Sequence, residues 1–307
     1  MMPAILRSRR LLLVVAVIAV AALLPLRASG YILGLLTIAF YFGVFSMAWD
    51  LLFGFANEVN FGPTFLIGLG AYTAGILNNH YGLPIAACVA LGTLAAVLGG
   101  VVLALPALRV SGPYFGLTTL VAVLLLQNLV VVFAGLTGGE IGLTVPDVIS
   151  ISGSVNYWIA LAFLVASGSV LYVLSRSATG LILQASGQDR IQAGALGFNV
   201  VKHKVFAFIV SALFSGLAGA LFVFYLGTAS VGTLVDVSVA VQIIIAAVLG
   251  GRRTIIGAAI GAIFLIAMAE ALRSTGELAT LIVSAITLLV VMLLPNGFMG
   301  LLSRGPR

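Results

Sequence analysis

Charge is what this chain has least of. Only 7% of its 307 residues are Asp, Glu, Lys or Arg, where a soluble domain carries roughly 25%. Cysteine is nearly absent. The single Cys88 lies inside an apolar run, which excludes a disulfide framework and a cysteine metal cluster. Histidine occurs twice, and His80 and His203 are far apart and fall in expected loops, so shared metal ligation is not expected. The two lysines, Lys202 and Lys204, are followed by His203 and Val205. No phosphate loop of the form G-x-x-x-x-G-K-[ST] can therefore be drawn. No nucleophile, base and orienting residue can be assembled from the spacing either. These absences point away from an enzyme and away from nucleotide binding on this chain.

What fills the sequence is apolar. Hydrophobic residues make up 62% of it, and the mean hydropathy is +1.28. The 36 glycines suit membrane helices, where small residues let backbones approach. Apolar runs cover residues 11–26, 32–53, 61–77, 83–108, 114–136, 157–174, 205–226, 237–249, 255–272 and 278–294. The expected fold is all-α and polytopic, a single transmembrane domain over 1–307 with about ten transmembrane or half-membrane helices. Several runs are shorter than the ~20 residues a full crossing needs, and 237–249 reads as a half-helix or a re-entrant piece. The start has the form of a signal peptide, with Arg7, Arg9 and Arg10 before the first run. It is read as an uncleaved first span, with cleavage near Ala28 as the alternative.

The net charge of +6 does not mark a nucleic-acid binder, because the charges flank apolar runs. They orient the chain instead. With the N-terminus inside and the runs alternating, Arg7, Arg9, Arg10, Arg109, Arg176, Arg190, Lys202, Lys204, Arg252, Arg253, Arg304 and Arg307 fall inside. Arg27 and Arg273 fall outside. Twelve against two follows the positive-inside rule and sets both termini in the cytoplasm.

One water-facing island interrupts the apolar pattern at 176–204. It holds Arg176, Asp189, Arg190, Lys202 and Lys204. Ser186 is the expected N-cap of a short helix, with Asp189 at capping-box spacing, and Gly197 is the expected stop. Such a helix on the cytoplasmic face is either a plain connector or a docking surface for a soluble partner. Polar breaks inside the bundle mark candidate translocation-path residues. These are Asn57, Glu58 and Asn60 between the second and third runs, with Tyr72, Gln127 and Asn128 deeper. For Gln127 and Asn128 the competing role is hydrogen bonding between helices. Residues 106–113 read as an ordinary inner turn. Asp50 stands near the inner end of its run, and Glu270 is placed to pair with Arg273 three residues on. No row of buried acids suggests a proton relay.

The island GLILQASGQDRIQAGALGFNV, residues 180–200, resembles the cytoplasmic loop of branched-chain amino-acid ABC transporter permeases, the LivM family. In the same order, GLGAYTA at 68–74, LPALRVSG at 105–112, SGLAGAL at 215–221 and PNG at 295–297 are similar to the family's patterns. Each motif is moderately specific, and their order across nearly the whole chain is what makes the set specific. The resemblance implies a permease of a bacterial inner-membrane importer for branched-chain or related amino acids. Its implied partners are two ATP-binding subunits, a second homologous permease and a periplasmic binding protein, with ATP and Mg held by the partners and no cofactor on this chain. It assigns ATPase coupling to Gly180, Ala185, Asp189, Ala193, Ala195, Leu196, Gly197 and Asn199. The competing class is an ion-coupled carrier or passive channel. The sequence departs from the family at Asp50, where the family has Asn, at ANEVNFGP (56–63), at GGEIGL (138–143), at GGRRTIIGA (250–258) and at Gly187, Gln188 and Arg190. Several departures fall near the candidate path, which leaves the substrate open.

Overall fold

The computed structural model describes residues 16–107, 113–273, 278–293 and 297–303. The expected inner turn at 106–113, Arg109 and the terminal arginines Arg7, Arg9, Arg10, Arg304 and Arg307 lie largely or wholly outside these residues. Helix α1 spans Ala16–Leu26. α2 (Gly30–Asp50) starts at Ser29, whose Oγ accepts from Ile32 N, and runs into a π turn at Leu51–Phe55. α3 (Pro63–Tyr81) has proline at its first position and stops at Gly82. α4 (Ile85–Ala107), α5 (Pro113–Val132) and the single turn α6 (Ala134–Thr137) follow. α7 (Gly153–Arg176) leads to the short α8 (Ala178–Gln188) and α9 (Arg190–Ala195), and α10 (Val200–Leu226) returns through the bundle. α11 (Val231–Leu234), α12 (Val237–Gly250), α13 (Ile256–Ala271), α14 (Leu278–Leu293) and α15 (Gly297–Ser303) complete the order.

Among the described residues, each of the ten apolar runs thus contains a helix. Six stretches among the described residues are long and apolar enough to cross a membrane: Gly30–Phe55, Ile85–Leu105, Tyr114–Val132, Gly153–Arg176, Val200–Leu226 and Val231–Gly250. The expected half-helix at 237–249 is the longer part of a broken helix. Asp236 interrupts it, and its Oδ1 caps α12 by accepting from Ser238 N at 2.7 Å. Neither histidine sits in a loop. His80 lies in the last turn of α3 and His203 in the first turn of α10, because the flanking apolar runs carry helical backbone past their own ends.

α2 is the axis of the bundle. Residues 39–52 are buried without a break, so this stretch of the helix has no water or lipid face. It packs against α7, α10, α12 and α13, with Phe40 against Tyr157 and both Tyr41 and Phe45 against Phe222. α3, α4 and α10 pack tightly on one another. A Cβ on Gly70 would run into the Gly216 carbonyl, and one on Gly216 into the Ala96 side chain. Backbone contact of this kind replaces the hydrophobic drive that lipid removes. The outward faces of α4, α5, α7 and α14 present Leu98, Val102, Leu125, Val173 and Leu288, as expected of lipid-facing surface.

The two ends of the bundle differ. At the outer end β1 (Leu143–Thr144) pairs antiparallel with β2 (Thr228–Ala229). Asn78 Nδ2 donates to Asp147 Oδ2 at 2.7 Å, and the expected Glu270–Arg273 pair forms at 3.4 Å, joined by Tyr31. The inner end gathers residues 51–62, 176–204 and 251–255.

Candidate functional site at the inner end

The island is two helices, not one. Ser177 caps α8, its Oγ accepting from Gly180 N at 3.4 Å. Asp189 caps α9, its Oδ1 accepting from Ile191 N at 2.8 Å and Gln192 N at 2.9 Å. Ser186, the expected cap, lies within α8, buried, and its Oγ has no hydrogen-bond partner among the described residues. Burial decides the difference. Gly180, Leu183 and Ser186 recur every three residues and form the inward face of α8, which starts the helix earlier than the local capping pattern does.

Gly197 stops α9 as expected, with φ +86°. Its N–H donates to Gly194 O at 2.9 Å, and Phe198 N donates to Ala193 O at 3.2 Å, a left-handed closure that favours glycine. Asn199 then starts α10, its Oδ1 accepting from Lys202 N at 3.0 Å. The coupling candidates divide by face. Gly180 and Ala193 are buried, Ala185 and Asp189 are half-buried, and Ala195, Leu196, Gly197 and Asn199 are exposed. Leu181 and Phe198 project outward from this capped stretch, and Ile191 at 84% exposure and Leu196 at 74% do so most.

α8 sits on the end of α2. A Cβ on Gly187 would lie 2.9 Å from Phe55 O and 3.0 Å from the carbonyl carbon of Ala56, so the backbones nearly touch. The next residues form the 56–62 loop, where each polar candidate has a partner. Asn57, in the left-handed region at φ +55°, accepts at Oδ1 from Arg252 Nη2 at 3.0 Å. Glu58 forms an ion pair with Lys204 of α10. Asn60 is buried, accepts at its carbonyl from Trp49 Nε1 at 2.6 Å, and turns its Oδ1 to Gly62 N at 2.8 Å. Phe61 N donates to Thr119 Oγ1 of α5 at 2.9 Å.

Beside the loop, fully buried Asp50 holds the 251–254 turn. Its Oδ1 accepts from Arg253 N and its Oδ2 from Thr254 N, each at 3.1 Å. Arg253 Nε reaches Gly54 O at 2.8 Å, and Arg252 lies 4.1 Å over the Phe53 ring. Neither the Asp50 clamp nor the Glu58–Lys204 pair was legible in the sequence. The partners are about 200 and about 150 residues apart, and no local spacing links them.

The other path candidates lie elsewhere. Tyr72 is buried on α3 and its hydroxyl has no partner among the described residues. With Thr73 and Thr137 it lines a mostly apolar cleft of about 180 Å³ between α3 and α5. Gln127 Nε2 reaches across to Val235 O at 3.4 Å, whereas Asn128 bonds back to Leu124 O in its own helix. The six candidates therefore form two groups, one in the inner loop and one on α3 and α5.

A bundle of apolar helices around a buried axial helix, with a separately capped helix pair outside its basic end, is the architecture of a polytopic membrane protein. A family model described as "Branched-chain amino acid transport system / permease component" matches residues 31–294. The chain belongs to that family. It is 26% identical over 322 residues to the high-affinity branched-chain amino acid transport system permease protein LivM of Escherichia coli (strain K12), covering 94% of this chain and 74% of that protein. LivM of Salmonella typhimurium gives the same values. The autoinducer 2 import system permease protein LsrC of Enterobacter sp. (strain 638) is 29% identical over 218 residues, covering 68% of this chain and 61% of that protein. No solved structure matches the chain. This is a multi-pass inner-membrane protein, an ABC-type permease subunit rather than a catalytic enzyme.

Proposed function

We propose that this chain forms the membrane path of an ATP-driven importer for branched-chain or related amino acids. Two ATP-binding subunits would hold ATP and Mg, a second homologous permease would complete the path, and a periplasmic protein would deliver substrate. The observation that carries the reading is the α8–α9 pair. It is fixed by caps at Ser177 and Asp189 and by Gly197, seated on the π turn of α2, and it offers Ile191 and Leu196 to a partner. Apolar side chains exposed at an aqueous end offer a surface that a partner can cover. Force applied to α8 passes through Gly187 to residues 55–56, and so to the axial helix and the 56–62 loop. Tyr72, Gln127 and Asn128 are the proposed membrane-depth lining of the path, with Asn57, Glu58 and Asn60 at its inner mouth.

The LsrC matches favour a second reading of the cargo alone, an autoinducer in place of an amino acid. Deleting the chain from its host should abolish ATP-dependent uptake of labelled leucine, isoleucine and valine. The purified chain in liposomes should hydrolyse no ATP and accumulate nothing under a proton or sodium gradient. Loss of autoinducer uptake alone would move the cargo, and gradient-driven uptake by the chain alone would make it an ion-coupled carrier.

A further inference from the structure

Among the described residues there are two ion pairs, and they differ in kind. Glu270–Arg273 is exposed at the outer end, whereas Glu58–Lys204 is nearly buried, with side-chain exposures of 12% and 11%. A buried pair adds little net stability, because desolvation offsets the attraction, but removing one partner leaves an uncompensated charge. In water the same pair is nearly neutral. Such a pair separates at small cost when water reaches both charges, and resists separation when it does not.

Its position gives that property a use. Lys204 is in the second turn of α10, just after the Asn199 cap that joins α10 to α9. Glu58 belongs to the loop touched by α8 at Ala56, by α5 at Phe61 and by the 251–254 turn at Asn57. Glu58 N also donates to Leu52 O at 3.1 Å, tying the loop to the π turn. The pair is therefore the charged bond between the two pieces of backbone that flank the α8–α9 pair, one before it in the chain and one after it. Arg252 and Arg253 on the neighbouring turn are held by Asn57, Phe53 and Gly54, and Asp50 is occupied by backbone N–H groups.

We infer that Glu58 and Lys204 are positioning residues, a latch that closes the inner end in this conformation and parts when a partner displaces α8–α9. The inference rests on the function proposed above. Opening would hydrate both charges together, so the closed and open ends differ little in energy, as a two-state element driven by a partner requires. An unpaired charge at this place would instead favour the hydrated, open end whether or not substrate is delivered.

The test uses Glu58→Gln, Lys204→Met and the reversed pair Glu58→Lys with Lys204→Glu. The first readout is ATP hydrolysed per labelled leucine transported by the complete reconstituted complex. Each single variant should raise this ratio several-fold, and the reversed pair should return it toward the original. The second readout needs no ATPase. Ser211 is buried on α10, seven residues beyond Lys204, and donates to Ala48 O at 2.8 Å. A cysteine in its place should react with an impermeant thiol reagent from the inner side roughly tenfold faster in the single variants, and slowly again in the reversed pair. Native Cys88 is buried on α4 near the outer end and adds little background. Ratios and labelling rates unchanged in the single variants, or not restored by reversal, would reduce the pair to a packing contact. If the complex moves no leucine while labelling follows the charges, the latch stands and the assigned function falls.

Discussion

Replacing Ile191 and Leu196 together by serine is expected to leave the chain folded and to weaken its hold on the ATP-binding subunits about a hundredfold. Both side chains are largely exposed in the isolated chain, at 84% and 74%, so their loss should change its own stability by no more than about 0.5 kcal/mol. Covering them in a complex is worth about 1.5 kcal/mol each at the low end for a buried aliphatic side chain. The pair then contributes about 3 kcal/mol, and each 1.4 kcal/mol is a factor of about ten in Kd. Co-purification at micromolar concentration should fail and uptake should fall with it, while the amount of membrane-inserted protein stays near normal. Ala193 is the contrasting position. It is 2% exposed and packs inward, so Ala193→Leu should overpack the chain itself, at a cost of about 1–3 kcal/mol, and should lower the amount of folded protein. A serine pair that still binds and transports normally would mean that another surface docks the ATPase.

Asp50→Ala should strike the fold instead. The carboxylate is the acceptor for two backbone N–H groups of the 251–254 turn. Leaving a buried donor without a partner costs about 1–3 kcal/mol, so the loss for two is about 3 kcal/mol, a large share of the 5–15 kcal/mol typical of a folded chain. Thermal unfolding of the purified protein in detergent should shift down clearly. Asp50→Asn should lie between, because its amide oxygen still accepts from one of the two groups and its nitrogen faces the other donor. Gly54→Ala should reproduce much of the loss, since a Cβ there would run into Asp50 Oδ1. An Asp50→Ala chain as stable as the original would show that Phe53, Gly54 and Asn57 hold the turn without it.

The sequence was most informative where one short stretch decides the outcome. Each of the ten apolar runs contains a helix among the described residues because an apolar stretch in lipid has to satisfy its own backbone. Gly197 was legible because a left-handed closure favours glycine. Ser186 was misread for the converse reason: Ser-x-x-Asp is a valid local pattern, but the inward face of Gly180, Leu183 and Ser186 set where the helix begins. The inner-end network was out of reach. Glu58, Lys204, Asn57, Arg252 and Asp50 come from three separated segments, and only the packing of α2, α10 and α12 brings them together. The departures from the family's pattern at 56–63 and 250–258 did mark both loops. What they could not show is that the two loops face each other, with the Asn57–Arg252 contact between them.

The α8–α9 pair is the proposed contact between this permease and an ATP-binding subunit. It is tested most directly by a single cysteine at Leu196 in the assembled complex, with Ser152→Cys on the exposed outer end for comparison. With the pair docked, Leu196→Cys should cross-link to an ATP-binding subunit, with a yield that changes when ATP is added, and should be shielded from a bulky impermeant thiol reagent. Ser152→Cys should give no such cross-link and should react freely from outside. A Leu196→Cys that stays open to the reagent in an actively transporting complex, and cross-links to no ATP-binding subunit, would contradict it.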